Sequence, residues 1–392
     1  MGDDRSASMG FVATTSPLPL TADHDALRAE ARAFADSIYD GYLERALSFD
    51  FFWDLYRETG ARGYLGMTVS REGGGRGASS FEAGIVMEEL ARGDFNLGFS
   101  LFAAYSGNRI LAEHATPEVK ERWLVPALSG ETAIGFALTE LVAGSDFRNI
   151  ETRATPVDVG WRLDGHKTSS GLAVVAGATI VWARTGDDAR AGISGFLVPL
   201  DSEGVTRERI PSSGFRPTGR GNIELNGVVV PDANVLGETI GSFDVGRAMI
   251  ALLAVGAVQR AIDLAIEFVG GRETFGAPLS DRQGITFMIA EHATRLEAAK
   301  RLAYHVLASA DAGLPTTKIA AMAKWFATEA ATNAARDMVV ALGHRGYSDE
   351  LPLMQLMRDL QGLEIADGPT QIQKLIITRD LFGRSSEDRA ER

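Results

Sequence analysis

Hydrophobic and polar positions divide the chain into three zones with different periodicities. From about residue 21 to residue 130, apolar residues recur at three- and four-residue steps, which predicts amphipathic helices. From about residue 132 to residue 235, short apolar or alternating runs lie between glycine and proline positions, which predicts strands joined by turns. From residue 242 onward the helical spacing returns in longer segments. This order predicts a small β domain between two α domains.

The same patterns predict the individual segments. The helices predicted in the first zone are Asp23–Ile38, Phe51–Tyr64 and Phe81–Ala91. The strands predicted in the second zone are Gly160–Gly165, Thr179–Ala183, Gly192–Leu200 and Ile223–Pro231. The helices predicted in the third zone are Phe243–Val269, Ser280–Ala308 with Ser280 as its N-cap, Thr316–Leu342 and Pro369–Leu381. The domains expected from these segments are a flexible leader at 1–21, an N-terminal helical domain at 22–130, a middle β domain at 131–240 and a C-terminal helical bundle at 241–392.

Charge and cysteine content exclude several classes of protein. The chain carries 39 Lys and Arg residues against 52 Asp and Glu residues, for a formal net charge of −13. Because there is no Lys- or Arg-rich run, we expect no nucleic-acid partner. The absence of cysteine excludes disulfides, thiolate zinc sites, iron–sulfur clusters and cysteine nucleophiles. The six histidines show no ligand spacing, so we expect no metal site.

Apolar and glycine-rich runs predict neither a membrane span nor a nucleotide-binding loop. The longest apolar run, Met249–Val258, is shorter than the ~20 residues that a spanning helix needs. The first twenty residues lack the basic start and apolar stretch of a signal peptide, so we expect a cytoplasmic protein without a membrane partner. The run Gly73–Gly77 lacks both the G-x-G-x-x-G spacing and a preceding strand, and it therefore predicts a turn.

Four segments carry the chemical information in this sequence. They are Phe136–Asp146, Leu163–Lys167, Gly271–Gly276 together with Gln283, and Ile365–Gln373. Each resembles a segment of the acyl-CoA dehydrogenases, and their order and approximate distances match that family across residues 22–385. The resemblance implies an α+β fold with an N-terminal α-helical domain, a β-barrel-like middle domain and a C-terminal four-helix bundle. It also implies FAD as the cofactor.

The resemblance further implies which residues bind FAD. A loop of Thr, Gly and Ser supplies the hydroxyls and amides that suit the polar edge and phosphates of a flavin nucleotide, and an arginine suits a phosphate. The residues at matching positions are Leu138, Thr139, Ser145, Ser169, Arg272, Thr274, Phe275, Gln283, Gly343, His344 and Gln371. In the family, the segment from Arg272 to Gln283 reaches FAD in a neighbouring subunit, which implies a homodimer or homotetramer. The alternative for Arg272 is a surface ion pair.

Asp367 stands where family members commonly have the glutamate that acts as the catalytic base. A carboxylate at this position acts as a general base if it is ionised and reaches the α carbon of the substrate. Burial would raise its pKa, whereas the helix N-terminus would lower it. Aspartate is one methylene shorter than glutamate, and a misplacement of about 1 Å can cost about a hundredfold in rate. The alternative is an aspartate that merely caps the last helix.

Asp244 and Arg247 are candidate substrate-binding residues at the start of the first C-terminal helix. By resemblance, Arg247 is suited to steady the thioester end of the substrate or the base loop, and Asp244 is suited to contact the pantetheine arm. Gly246 occupies the second position at which the family places its base, so no alternative base is available there. The alternative for Arg247 is a surface charge at a helix start.

Two departures from the family pattern keep other functions open. Ser169 and Gly171 stand where the family often has a tryptophan behind the flavin and a threonine facing its N5 atom, and a short shift would bring Ser170 to the flavin instead. Pro369 stands where threonine is usual. Stretches similar to Lys167–Gly171 also occur in flavin monooxygenases of the same fold.

The leading hypothesis is FAD-dependent α,β-desaturation of an acyl thioester carried on CoA or on a carrier protein. In it, Asp367 takes the α proton, flavin N5 takes the hydride, and an electron-transferring flavoprotein or similar acceptor reoxidises the flavin. A flavin oxidase or monooxygenase on the same fold is the first alternative. A catalytically idle thioester-binding protein is the second. The sequence does not name the acyl group.

Overall fold

The computed structural model describes residues 20–186, 192–240 and 243–383. Helices, then a sheet, then helices follow one another along the chain, which confirms the predicted α+β fold class. The predicted leader at 1–21 lies almost entirely outside the described residues.

In the described part of the chain, seven helices precede the sheet and five follow it. The N-terminal helices are α1 (Ala22–Ile38), α2 (Tyr42–Leu47), α3 (Trp53–Ala61), α4 (Ser80–Gly93), α5 (Phe95–His114), α6 (Pro117–Val119) and α7 (Val125–Ser129). The C-terminal helices are α8 (Asp244–Gly271), α9 (Gln283–Asp311), α10 (Thr317–Leu342), α11 (Leu353–Ile365) and α12 (Thr370–Leu381). Sequence analysis predicted four of these five long C-terminal segments and missed α11.

The middle of the chain forms one eight-stranded sheet. Its strands are β1 (Ile134–Ala137), β2 (Arg153–Val157), β3 (Gly160–Ser170), β4 (Ala178–Arg184), β5 (Ile193–Pro199), β6 (Val205–Arg209), β7 (Gly221–Val230) and β8 (Val235–Gly237). The strand order is β6-β7-β3-β2-β4-β5-β8, and β1 pairs in parallel with β4 outside this path. A separate two-stranded hairpin joins β9 (Glu273–Thr274) to β10 (Ala277–Pro278).

The chain folds into two compact units. Of the described residues, the helical unit combines residues 20–43, the segment Gly84–Phe95 and residues 247–383. The sheet unit combines Glu44–Ala83 with Asn96–Gly246.

Helix α10 lies at the centre of the packing in the helical unit, where it contacts α9, α11 and α12. Its buried positions are mostly alanines, which allow neighbouring helices to approach closely. Lys324 is fully buried among them. A buried lysine on an alanine stripe requires hydrogen-bonding partners, because an unpaired charge is costly away from water.

Helix α8 forms the other part of this core. Among the described residues it is the single helix long and apolar enough to cross a membrane, and 72% of its most apolar window is buried inside the protein. Its apolar character therefore reflects core packing on all sides, as expected for a helix that is hydrophobic all round.

Two local predictions at helix starts are wrong. Ser280 does not cap α9, because Leu279–Asp281 forms a 3₁₀ turn and Arg282 is the N-cap residue. Pro369 is the N-cap residue of α12 and Thr370 its first helical residue. The end of α12 agrees with the predicted end at Leu381.

Candidate active site

The loop between α11 and α12 holds Asp367 in an unusual backbone conformation. Asp367 has φ of 51° and Gly368 has φ of 87°, so two consecutive residues are left-handed before Pro369, the N-cap residue of α12. A left-handed non-glycine residue is uncommon, although aspartate tolerates it better than most. Strain of this kind persists only where the surroundings fix it, and it is concentrated at functional sites.

Two buried side chains bind the carbonyl groups of this loop. Nζ of Lys324 donates hydrogen bonds to the carbonyl oxygens of Gly368 at 2.9 Å and Glu364 at 3.3 Å. Nε2 of Gln373, which is fully buried on α12, donates to the carbonyl oxygens of Gly368 at 2.7 Å and Asp367 at 3.3 Å. The loop is therefore held from α10 and from α12.

The side chain of Asp367 does not cap helix α12. The N-cap residue is Pro369, and no side-chain hydrogen bond caps this helix. The interpretation of Asp367 as a helix cap is therefore wrong. Asp367 is exposed to solvent, as a base that must reach a substrate has to be.

Burial raises the pKa of the Asp367 carboxyl above its ordinary value, and the positive charges of Lys324 and Arg247 offset part of this effect. Although Asp367 is solvent-accessible, the protein atoms around its carboxyl still disfavour the charged form, which raises the pKa. Burial also lowers the pKa of Lys324 to about 8, against the opposing effect of Asp367 and Glu364. A carboxyl with a raised pKa beside two cations is typical of a catalytic group.

The two candidate substrate-binding residues lie at the start of α8. Asp244 is the first residue of the helix, and both Asp244 and Arg247 are buried. Arg247 acts electrostatically on both Asp367 and Lys324. Its interpretation as a surface charge is therefore wrong. Within the sheet unit, a Cβ atom at Gly246 would lie 3.5 Å from the ring of Phe102.

In the sheet unit, the segment after β1 carries the first predicted cofactor-binding residues. Leu138 and Thr139 are half-buried and Ser145 is exposed. A buried ion pair anchors this segment to β3, because Nζ of Lys167 lies 2.7 Å from Oε1 of Glu140 and donates to the carbonyl of Leu138 at 3.1 Å. The Thr139 carbonyl also accepts a hydrogen bond from the backbone of β3.

The end of β3 bulges where sequence analysis left the flavin contact open. Ser169 is left-handed with φ of 57°, is exposed, and its Oγ accepts a hydrogen bond from Nε of Arg220 at 2.9 Å. Ser170 points inward and is 3% exposed, and within residues 20–186, 192–240 and 243–383 its hydroxyl has no hydrogen-bond partner. A Cβ atom at Gly171 would lie 3.6 Å from the ring of Phe99.

The remaining predicted cofactor-binding residues lie on the surface of the helical unit. Thr274 ends β9, and the adjoining Phe275 has φ of 53° and is 99% exposed. Arg272 is exposed, and its guanidinium carbon lies 5.6 Å from the ring centroid of Phe268. In the described part of the chain Arg272 forms no ion pair with a carboxylate, so the surface ion pair proposed as its alternative is not found there. Gln283, Gly343, His344 and Gln371 are also exposed.

The sheet unit fits a cofactor that has a polar edge. The buried Ser170 hydroxyl lacks a partner among the described residues, and a buried hydroxyl without a partner is costly unless a ligand or water satisfies it. On the segment after β1, the half-buried Thr139 and the exposed Ser145 supply further hydroxyls. These donors and acceptors suit the carbonyl and nitrogen edge of a flavin.

The sequence did not single out the residues that support the base loop in the helical unit or the predicted flavin loop in the sheet unit. Lys324, Gln373 and the Glu140–Lys167 pair were not singled out. The signal for Lys324 was present, because it lies four residues after Ala320 on the buried face of α10. No local pattern distinguishes Gln373 from the exposed Gln371 beside it.

Comparison with known proteins identifies similar chains across nearly the whole length. Residues 21–131, 135–228 and 237–382 match the models of the acyl-CoA dehydrogenase N-terminal, middle and C-terminal domains. The chain is 32% identical to a probable acyl-CoA dehydrogenase of Bacillus subtilis, over 93% of this chain and 99% of that protein. It is 34% identical to a subunit of the caffeyl-CoA reductase–Etf complex of Acetobacterium woodii, over 81% of this chain and 86% of that protein. It also resembles a glutaryl-CoA dehydrogenase of Mycobacterium smegmatis in complex with FADH2, with a TM-score of 0.87, 26% identity, and coverage of 94% of this chain and 96% of that one.

Proposed function

Because the chain belongs to the acyl-CoA dehydrogenase family, we propose that it desaturates an acyl thioester between the α and β carbons with Asp367 as the base. It is an FAD-dependent oxidoreductase acting on CH–CH bonds. The observation that carries the proposal is the exposed Asp367 carboxyl on a strained loop that Lys324 and Gln373 hold from two sides.

The residues of this chain would perform the proton transfer as follows. The ionised carboxylate of Asp367 accepts the proton from the α carbon of the thioester, and Lys324 and Arg247 favour that ionised form. As the α proton leaves, negative charge develops on the thioester carbonyl, and nearby cations stabilise it. Bound FAD supplies the acceptor for the hydride of the β carbon. The Asp244 carboxylate remains our candidate contact for the pantetheine arm.

Within the sheet unit, we assign the flavin-binding role to Leu138, Thr139 and Ser145, together with a serine at the end of β3. Ser170 is the better candidate for a buried hydrogen bond, since Arg220 already binds Ser169. The Glu140–Lys167 pair would position this loop without touching the flavin.

We further propose a homodimer or homotetramer in which the hairpin of β9 and β10 reaches a neighbouring subunit. The fully exposed Phe275 supports this, because a large apolar side chain at a tight turn is otherwise left in water. Arg272, Thr274 and Gln283 lie on the same exposed segment, and we propose that Gly343, His344 and Gln371 belong to the same cofactor-binding surface.

We propose an electron-transferring flavoprotein as the acceptor, because a relative carries this partner in its name. The acyl group is carried on CoA or on a carrier protein, and the protein acts in the cytoplasm. If the electron acceptor is not oxygen, the substrate-reduced protein should reoxidise slowly in air. Rapid reoxidation would instead favour the oxidase or monooxygenase alternative.

The test is anaerobic titration of the yellow protein with a panel of straight, branched and aromatic acyl thioesters, each as a CoA and a pantetheine ester. The flavin absorbance should bleach with one class of ester in a stoichiometric manner. If FAD binds and no thioester bleaches it, the idle thioester-binding alternative replaces this proposal.

A further inference from the structure

We propose that Lys324 is a positioning residue for the reaction: its ammonium group holds the loop from Glu364 to Gly368 so that Asp367 presents its carboxylate to the substrate. This inference rests on the proposed role of Asp367 as the base. Lys324 itself need not touch the substrate, because its contacts are with the main chain of the base loop.

The two carbonyl groups that Lys324 binds lie on either side of Asp367. Glu364 precedes it by three residues, near the end of α11, and Gly368 follows it directly. A single ammonium group therefore joins the incoming helix to the turn that leads into α12. Because α10 packs against both α11 and α12, Lys324 is anchored to the elements that it connects.

The backbone of the loop needs such support. Asp367 and Gly368 are both left-handed, and a left-handed non-glycine residue is strained and persists only where its surroundings fix it. Gln373 contributes two hydrogen bonds from the other side, but as a neutral amide. Hydrogen bonds from a charged donor are about twice as strong as those between neutral groups.

Stability alone does not explain a lysine at this position. Lys324 is 0% exposed on a helix face that is otherwise mostly alanine, where an apolar residue would pack without loss of hydration. Replacing a complete buried ion pair by well-packed apolar residues is often neutral or stabilising. The retention of a buried ammonium beside a carboxylate therefore indicates a functional role.

The charges that face Lys324 give the proposal a pH signature. They are the carboxylates of Asp367 and Glu364 and the guanidinium of Arg247. Burial lowers the pKa of Lys324 to about 8, so the ammonium is present at neutral pH and is lost as the pH rises through 8. The pKa of Asp367 is raised by burial and held down in part by Lys324, so loss of this cation raises it further.

The test compares Lys324→Met with Lys318→Met in the full-length FAD-bound protein. Lys318 lies on the same helix, but at the surface in an exposed pair with Asp380, so its replacement controls for a charge change on α10. Two properties are measured: hydrogen exchange of the amides at residues 364–373, and the pH dependence of the rate of flavin reduction by the best thioester. Thermal unfolding and FAD content are recorded for both variants.

The wild-type reduction rate should rise with pH as Asp367 ionises and fall again above about pH 8 as Lys324 loses its proton. In the Lys324→Met variant, the amides of the loop should exchange at least tenfold faster, and the rate of flavin reduction should fall roughly 10- to 100-fold. The rising limb of its pH profile should move to higher pH, and the falling limb should be absent. Lys318→Met should match the wild type. Should Lys324→Met not fold, the wild-type profile decides alone, and a rate that stays flat to pH 10 overturns the proposal.

Other results distinguish this inference from the proposed function. Unchanged loop exchange and an unchanged pH profile in Lys324→Met overturn the positioning role while leaving Asp367 as the base. If the wild type is not reduced by any thioester, the proposed function fails, and faster exchange confined to residues 364–373 still shows that Lys324 holds the loop. Faster exchange throughout the helical unit would overturn the inference by showing a general structural role.

Discussion

The Glu140–Lys167 pair offers a quantitative test of how the sheet unit holds its predicted flavin loop. Both side chains are buried, at 4% and 0% exposure, with Nζ and Oε1 2.7 Å apart. Burial lowers the pKa of Lys167 to about 8, despite the opposing effect of Glu140. We expect Lys167→Met to remove the cation and leave the carboxylate of Glu140 buried in the segment that follows β1.

The expected loss of stability is about 3 kcal/mol. Removing one partner of a buried ion pair costs about 3–5 kcal/mol, and the lower value applies because Glu140 keeps hydrogen bonds from the backbone N–H groups of Glu151 and Thr152, at 2.5 and 3.0 Å. Adding Glu140→Gln to Lys167→Met should recover part of the loss, since the buried charge is then gone. FAD affinity should fall as well, because the freed Leu138 carbonyl no longer anchors the loop.

Urea unfolding monitored by circular dichroism, together with the FAD content of the purified protein, measures both effects. Arg162→Ala is the matched control, because Arg162 lies on the same strand and pairs with Asp164 at the surface, with side chains 51% and 45% exposed. That change should cost less than about 1 kcal/mol. A loss below about 1 kcal/mol for Lys167→Met would refute the reasoning.

Further predictions concern packing, pH and assembly. Gly256→Ala should destabilise the protein by about 1–3 kcal/mol in a thermal unfolding scan, because a Cβ atom there would lie 2.1 Å from the backbone oxygen of Glu88. Gly284→Ala is the control, since a Cβ atom there would have no atom within 4 Å, and it should be neutral or slightly stabilising in the same scan. Burial lowers the pKa of both Lys167 and Lys324 from 10.5 to about 8, so the unfolded chain binds more protons than the native one between these values. Urea midpoints of the wild type should therefore rise with pH across that window, and Lys167→Met should show a smaller rise because it keeps only the contribution of Lys324. Phe275→Asp should shift the protein to smaller species in size-exclusion chromatography, and an unchanged elution volume would contradict the proposed contact.

The element pattern could be predicted from the sequence because it is encoded locally. The helix predicted at Asp23–Ile38 is found at Ala22–Ile38, and the strand predicted at Thr179–Ala183 is found at Ala178–Arg184. Each rests on a continuous apolar pattern over its own length. The missed helix α11 is short and follows a turn-rich stretch after Gly343, so no long pattern marks it.

The chemistry of the base loop depends on contacts between residues distant in sequence, which local patterns do not contain. Sequence analysis identified Asp367 through its resemblance to a family motif, but left its protonation open because burial and the helix terminus act in opposite directions. In the folded protein, burial raises the pKa of Asp367, and the charge of Lys324, 43 residues earlier, opposes this shift. The supporting amide of Gln373 and the orientation of Ser170 are likewise set by packing.

The rate of anaerobic flavin reduction in Asp367→Asn tests the central claim most directly. Asparagine has nearly the same shape and tolerates a left-handed backbone, so the loop and the bound FAD should be retained while the base is lost. Mixed with the thioester that bleaches the wild type, this variant should be reduced at least about a hundredfold more slowly. Reduction at the wild-type rate would contradict the assignment of Asp367 as the group that accepts the α proton.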